Sequence, residues 1–255
     1  PVASDLLSES EDAAIGHIRL AEEADVVLVA PATADLVARL AAGMADDMVT
    51  ATALVTRAPI VVAPSMNTLM LEHPATQANL ATLRGYGYRI VDPASGELAC
   101  GYEGAGRLPD PEDLVQEVAA ALSPPDLRGR RVVVSAGPTC EPIDPVRHVT
   151  NRSSGRMGYA VAAAAWRRGA AVTLVSGPTS LPIPRGVEAV HVRTAAEMAT
   201  AMTAQSANAD VVIMVAAVAD YRPKSAAVGK IKKTEDELQL QLERTEDVLA
   251  SLSRT

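Results

Sequence analysis

Five side chains stand in settings from which chemistry can be built: His17, Asn67, Cys100, Asn151 and Lys230. The pattern is densest around Asn151. EPIDPVR fills residues 141–147 and NRSSGRMG fills 151–158. Arg147, Arg152 and Arg156 thereby gather beside Asn151, Ser153, Ser154 and Gly155, just ahead of an Ala-rich run. Backbone amides at a helix start, the positive end of its dipole and small residues that admit a ligand make an anion site. Arginines add charge-assisted donors. A plain turn with solvated arginines is the better reading for a lone Gly/Ser loop. Here loop length, arginine cluster and helix start coincide, and they favour phosphate. A G-x-G-x-x-G pattern and a Walker lysine are both missing from this loop, which counts against dinucleotide and P-loop readings.

Downstream, Asp220 ends an apolar run, where a carboxylate suits Mg²⁺ or a hydroxyl. Lys230 and Lys232 share one face of an extended chain, with Lys233 beside them, a spacing suited to polyphosphate. Such runs are more often solvated edge charge. In the first half, Pro31, Ala32 and Thr33 follow an apolar run and open a helix, the usual ligand edge of a parallel sheet. Thr33 serves equally well as an N-cap. Asn67, beside Met66, can donate and accept, although a loop-stabilising role is the plainer reading. His17 lies beside a helical apolar stripe, where most histidines are merely surface residues. Cys100 sits in a stretch, 95–107, with four glycines, which reads as a mobile flap able to carry a thiol to a site.

The elements that must position these groups are legible in the periodicity. Residues 132–136, a long loop from Gly137 to residue 154, an Ala-rich helix ending at Gly169 and a second β-branched run at 171–175 form a βαβ unit. A loop of that length is functional or disordered, and its prolines (Pro138, Pro142, Pro145) argue for order. Residues 9–23, 36–40, 48–55, 73–83 and 111–122 read as helices, and 26–30, 60–63 and 89–91 as strands. In the second half, 189–192 is a strand and Thr194 to Glu197 a capping box. Residues 211–217 form a wholly apolar inner strand, and Leu238, Leu240 and Leu242 mark an edge strand. The expected architecture is α/β, with domains over 1–122 and 131–255 joined by a linker at 123–130.

Composition agrees. Hydrophobic residues make up 48% of the 255, aromatics only 2%, and Phe is absent, so the core is aliphatic, as parallel sheets covered by helices require. A formal net charge of −8 argues against nucleic-acid or membrane surfaces. Membrane-length apolar runs and a signal peptide are not evident. Cys100 and Cys140 lack metal-type spacing, which fits a reduced, cytoplasmic setting.

The ordered motifs Gly137-Pro138-Thr139, EPIDPVR, NRSSGRMG, AAVADYRP (216–223) and KIKK (230–233) resemble the phosphopantothenate–cysteine ligase half of bifunctional bacterial coenzyme A biosynthesis enzymes. The upstream half is similar to their flavin-dependent phosphopantothenoylcysteine decarboxylase. The resemblance spans nearly the whole chain. It implies two Rossmann-like three-layer domains: a flavodoxin-like flavoprotein domain, then a ligase domain with a mostly parallel sheet.

It also implies roles. His17, in GHIRL, acts in the FMN-dependent oxidative decarboxylation. Pro31, Ala32, Thr33 and Met66 help hold FMN. Asn67, in Pro64-Ser65-Met66-Asn67, binds the substrate carboxylate, and Cys100 donates a proton. In the ligase half Asn151 and Lys230 are catalytic. Gly137, Arg147, Ser153, Ser154, Gly155, Ala216, Asp220, Lys232 and Lys233 line the site for CTP, and Asp220 is a candidate Mg²⁺ ligand. 4′-Phosphopantothenate, cysteine and CTP would be ligated through an acyl-cytidylate to 4′-phosphopantothenoylcysteine, which is then decarboxylated. The family further implies a homo-oligomer, trimeric in the flavin domain and dimeric in the ligase domain. This chain departs from the pattern at Asp35, Ser65, Leu71 and Thr245-Glu246-Asp247. The family's first strand and Gly-rich flavin-phosphate loop are expected ahead of residue 1, and part of its base-recognition surface past Thr255. The rivals are a non-catalytic regulator on the same flavoprotein scaffold, a nicotinamide dehydrogenase, and an enzyme keeping one activity only.

Overall fold

The computed structural model describes residues 16–97, 103–233 and 237–252. The chain divides into two compact units, at Ser123 and Pro124. In the first, the elements run α1 (Gly16–Glu23), β1 (Val27–Ala32), α2 (Ala34–Ala41), α3 (Met48–Val55), β2 (Ile60–Pro64), α4 (Thr68–Glu72), α5 (Pro74–Gly85), β3 (Arg89–Ile90), β4 (Ala94–Glu97), β5 (Glu103–Arg107) and α6 (Pro111–Leu122). β1, β2 and β3 form a parallel sheet in that order. Alternate side chains of β2 serve two cores. Ile60 and Val62 pack with Val37, Leu40, Leu80 and Leu83, whereas Val61 and Ala63 pack with Val91 and Leu114. A strand buried on both faces is what a continuous β-branched run provides.

In the second unit the order is β6 (Arg131–Ala136), β7 (Cys140–Pro142), β8 (His148–Thr150), α7 (Arg156–Arg167), β9 (Ala171–Ser176), β10 (Val187–His191), α8 (Ala195–Ser206), β11 (Val211–Met214), β12 (Tyr221–Pro223), β13 (Leu242–Arg244) and α9 (Val248–Leu252). The main sheet is parallel, ordered β10-β9-β6-β11. Val132, Val134 and Ala136 of β6 meet Tyr159, Ala162 and Ala165 of α7, while Val133 meets Met198 and Met202 of α8 and Val248 of α9. These are three layers. α7 carries the chain from β6 to β9 on one side, and α8 returns it to β11 on the other. The strand order therefore reverses beside β6, and a crevice opens at the carboxyl ends of β6 and β11.

Several expectations are corrected. The apolar run at 211–217 is no inner strand: β11 stops at Met214 and lies at the end of the strand order, with Val211 and Val212 exposed. The loop at 137–154 contains the antiparallel hairpin β7–β8. Leu238, Leu240 and Leu242 are all exposed, and only Leu242 enters a strand, the short pair β12–β13. The glycine-rich stretch expected as a flap is not among the corrections: its arms pair as β4–β5, and its centre, 98–102, lies outside the described residues. The expected linker is partly second-unit structure: Leu127 packs on that core, and Asp126 is paired twice by Arg168 at 2.8 and 2.6 Å. α4 was not foreseen. Among the described residues, no helix is long and apolar enough to cross a membrane.

Candidate functional site

In the second unit, β6 ends in Gly137, whose φ of 74° turns the chain sharply. Pro138 bridges Ala217; Ala217 N–H donates to the Gly137 carbonyl at 2.8 Å, and Thr139 N–H to the Ala217 carbonyl at 3.2 Å. Side chains extend this lacing. Ser135 Oγ, fully buried, accepts from the amides of Val215 and Ala216 at 3.0 and 3.1 Å, and Thr139 Oγ1 accepts from Ala219 at 2.9 Å. Residues 215–219 are thus held beyond the end of β11 by one backbone bridge at Ala217 and by hydroxyls on either side of it. Asn151 Nδ2 donates to the carbonyls of Ala217 and Val218 at 3.2 and 3.1 Å. Two carbonyl acceptors require the NH₂ there, so the amide oxygen is the end turned away from them.

Next to this segment lies a cleft of about 620 Å³, lined among others by Ala216, Val218, Asp220, Thr245, Glu246 and Asp247. Thr245 closes one side, its Oγ1 donating to the Ala219 carbonyl at 2.5 Å and its N–H to that of Asp220 at 3.0 Å. Asp220 is exposed, and no group of three His, Cys, Asp or Glu among the described residues is placed to hold a metal.

Gly155 caps α7 in a left-handed conformation, φ 76°, without a side-chain bond to the first-turn amides. A Cβ on it would lie 2.7 Å from Thr179 Cγ2 and 3.4 Å from Gly137 Cα, so only glycine lets the two turns touch. Ser153 N–H donates to the Asn151 carbonyl at 3.0 Å; Ser154 is exposed. The Gly155 amide donates to Ser153 Oγ at 3.4 Å, and the start of a helix without a side-chain cap is a setting for an anion.

Arg147 is placed differently from the expectation of a direct anion ligand. Its Nε and Nη2 donate to Asp144 Oδ2 at 3.0 and 2.5 Å, and Nη2 also donates to the Ile231 carbonyl at 2.7 Å. Asp144 is buried, at 3% exposure. Bonding to Arg147, with backbone amides adding and burial opposing, holds its carboxyl far below the usual carboxylate range. Lys230, Lys232 and Lys233 are exposed on the segment this pair grips. Asp144, Thr139 and Ser135 were missed from sequence. Asp144-Pro145 was a readable turn signal; the two hydroxyls carried none.

In the first unit, the peptide from Ala30 to Pro31 is cis, and Ala32 continues β1 to pair with Pro64. Thr33 caps α2, its Oγ1 accepting from Leu36 at 3.2 Å, and Asn67 caps α4, its Oδ1 accepting from Leu69 at 2.9 Å. Both stand at the carboxyl edge, on neighbouring strands. Met66 N–H and Ser65 Oγ donate to the Gly106 carbonyl at 3.0 and 3.2 Å, and Thr68 Oγ1 to that of Ala105 at 2.8 Å, so the Asn67 turn is fastened to β5. His17 stands in the first described turn of α1, with Nδ1 buried and no hydrogen-bond partner there. Cys100 lies outside the described residues.

Comparison with known proteins adds the following. Residues 127–255 match the family described as DNA/pantothenate metabolism flavoprotein C-terminal domain, and residues 1–123 match the family Flavoprotein. The Coenzyme A biosynthesis bifunctional protein CoaBC of Vibrio vulnificus is 49% identical over 255 residues, covering 99% of this chain and 64% of that protein. Its namesake in Mycobacterium tuberculosis is 49% identical over 261 residues, covering 100% and 62%. The chain therefore spans somewhat less than two thirds of these relatives. A crystal structure of the C-terminal domain of a CoaBC is 49% identical with a TM-score of 0.45, covering 51% of this chain and 60% of that one.

Proposed function

The chain belongs to the DNA/pantothenate metabolism flavoprotein C-terminal domain family, and on that premise we propose that it serves two steps of coenzyme A biosynthesis. The second unit joins 4′-phosphopantothenate to cysteine at the expense of CTP. The first decarboxylates the resulting 4′-phosphopantothenoylcysteine with FMN. The observation that carries this reading is the pair of bonds from Asn151 to the wall of the 620 Å³ cleft.

In the ligation, the substrate carboxylate attacks the α-phosphorus of CTP, a P–O bond forms, and pyrophosphate leaves. The cysteine amine then attacks the acyl carbon, CMP departs and the amine loses a proton. Asn151, fixed by two carbonyls, orients substrate with its amide oxygen. Lys230, with Lys232 and Lys233, offsets negative charge growing on the phosphates. Asp220 fits a Mg²⁺ that arrives with the nucleotide, since that ion commonly takes one or two carboxylates plus phosphate oxygens.

The orphaned Nδ1 of His17 fits a unit that binds a polar cofactor. Pro31, Ala32, Thr33 and Met66 would hold FMN, which when bound supplies the electron transfer that eases loss of the carboxylate. His17 handles the proton of the reacting thiol. Asn67 would serve the substrate carboxylate from a turn that is fastened to β5. Self-association belongs to the same reading, supported by Leu20, Leu28, Val49, Leu54 and Val55, all exposed on the first unit.

The test is unfolding of the second unit, followed through its single tryptophan, Trp166, with Mg²⁺ and each nucleoside triphosphate in turn. CTP at about a hundred times its dissociation constant should add about 2.7 kcal/mol, and Asn151→Ala should abolish the gain. An equal gain with ATP, or none with CTP, would overturn the assignment.

A further inference from the structure

Asp144 divides its two oxygens between two tasks. Oδ1 accepts from the amides of Val146 and Arg147, both at 2.8 Å, and so closes the tip of the β7–β8 hairpin. Oδ2 accepts from Arg147 Nε and Nη2 and from the amide of Ile231 at 3.1 Å. Arg147 Nη2 in turn donates to the Ile231 carbonyl at 2.7 Å. The peptide groups on either side of Ile231 are therefore gripped, the N–H by Asp144 and the C=O by Arg147. Ala227 N–H adds a bond to the Ile143 carbonyl at 2.9 Å. Lys230 and Lys232, which flank Ile231, have exposed side chains and lie outside any strand or helix. The other end of the hairpin is equally fixed: Cys140 N–H donates to the Arg193 carbonyl at 2.7 Å, and Asn151, just past β8, reaches Ala217 and Val218. One hairpin thus joins the lysine segment to the cleft wall.

We propose that Asp144 is a positioning residue for Lys230, acting through Arg147 and Ile231 to hold the lysine segment in register with the Asn151 turn. This rests on the reading of Lys230 as the lysine that acts on CTP. Arg147 is accordingly the second half of a clamp on the chain. A buried carboxylate suits the task because charge-assisted bonds to a planar guanidinium fix direction as well as distance.

Asp144→Asn separates the two tasks. Its amide oxygen can replace Oδ1 and keep the hairpin tip, while its NH₂ would confront the donors that Oδ2 now accepts. The first arm, residue-resolved hydrogen exchange without ligand, needs no variant to fail. In the unaltered chain the Ile231 amide should exchange at least about tenfold slower than those of Lys230 and Lys232. In Asp144→Asn the Ile231 protection should vanish, while that of Val146 and Arg147 persists. The second arm is steady-state ligation. Asp144→Asn should lower kcat by roughly ten- to a hundredfold, yet by less than about twofold in a Lys230→Ala background, since groups acting as a unit are not additive. Ile231 exchanging as fast as its neighbours, or an equal kcat penalty in both backgrounds, would overturn the proposal. An unaltered chain without ligase activity would overturn the reading of Lys230 instead, and the exchange arm alone would decide the clamp.

Discussion

Glu141 and Asp144 are buried carboxylates three positions apart on one hairpin, and each is held by a different kind of partner. Glu141, 2% exposed, accepts from the Ala195 amide at 2.8 Å and so sits at the positive end of α8. Glu141→Ala would strand that amide in the interior. The expected loss is about 1–3 kcal/mol in urea unfolding followed at Trp166. Gly158 states a different constraint. A Cβ there would lie 2.9 Å from the Ser135 carbonyl and 2.5 Å from the Ala136 methyl, so α7 lies on β6 with no room for a side chain. Gly158→Ala should destabilise the same unit by about 1–3 kcal/mol through overpacking. Gly229, in the same unit, has open space around it and should tolerate alanine. Equal losses at the two sites would refute the packing argument.

Among the elements, α8 was the plainest in the sequence. The Thr194/Glu197 capping box is reciprocal in the structure, Thr194 Oγ1 accepting from Glu197 and Glu197 Oε2 from Thr194. Thr194→Ala should cost about 1 kcal/mol, read as a lowered unfolding midpoint at unchanged slope. The β7–β8 hairpin was not legible, for a definite reason. Its strands have three residues each, too few for a period of two to show. They are held by bonds that pairing rules do not anticipate, such as Thr150 Oγ1 to the Thr139 carbonyl at 2.7 Å. β11 failed in the opposite way. A wholly apolar run suggested burial on both sides, but Val211 is 40% exposed at the end of the strand order.

Across the whole molecule, acid should act most visibly on the second unit. Three of its carboxyls are held below the ordinary value of 3.8: Asp126 chiefly by Arg168, Asp144 chiefly by Arg147, and Asp210 chiefly by the amide of Arg131. A depressed carboxyl binds fewer protons folded than unfolded, so its contribution is present above the unfolded value and lost as pH falls below it. The urea midpoint at Trp166 should be level between about pH 7 and 5 and fall below about pH 4, with a shallower fall in Asp144→Asn. A midpoint that rises on acidification would contradict these pairings. Trp166 lies in the second unit, so the transition is read at that unit's core.

Sequence by itself determined the α/β class, the βαβ unit at β6–α7–β9 and several helix caps, because these are local: a few neighbouring residues satisfy their own backbone groups or repeat with a fixed period. It also singled out Asn151, whose amide bonds the segment beyond β11, and Asp220, which lines the cleft beside that segment. Tertiary structure alone decided which groups support them. Ser135, Thr139 and Asp144 act on amides some 80 or more positions further along the chain, and nothing in local periodicity records a partner at that distance. The strand reversal beside β6 places those amides within reach, and buried polar groups that must be paired do the rest.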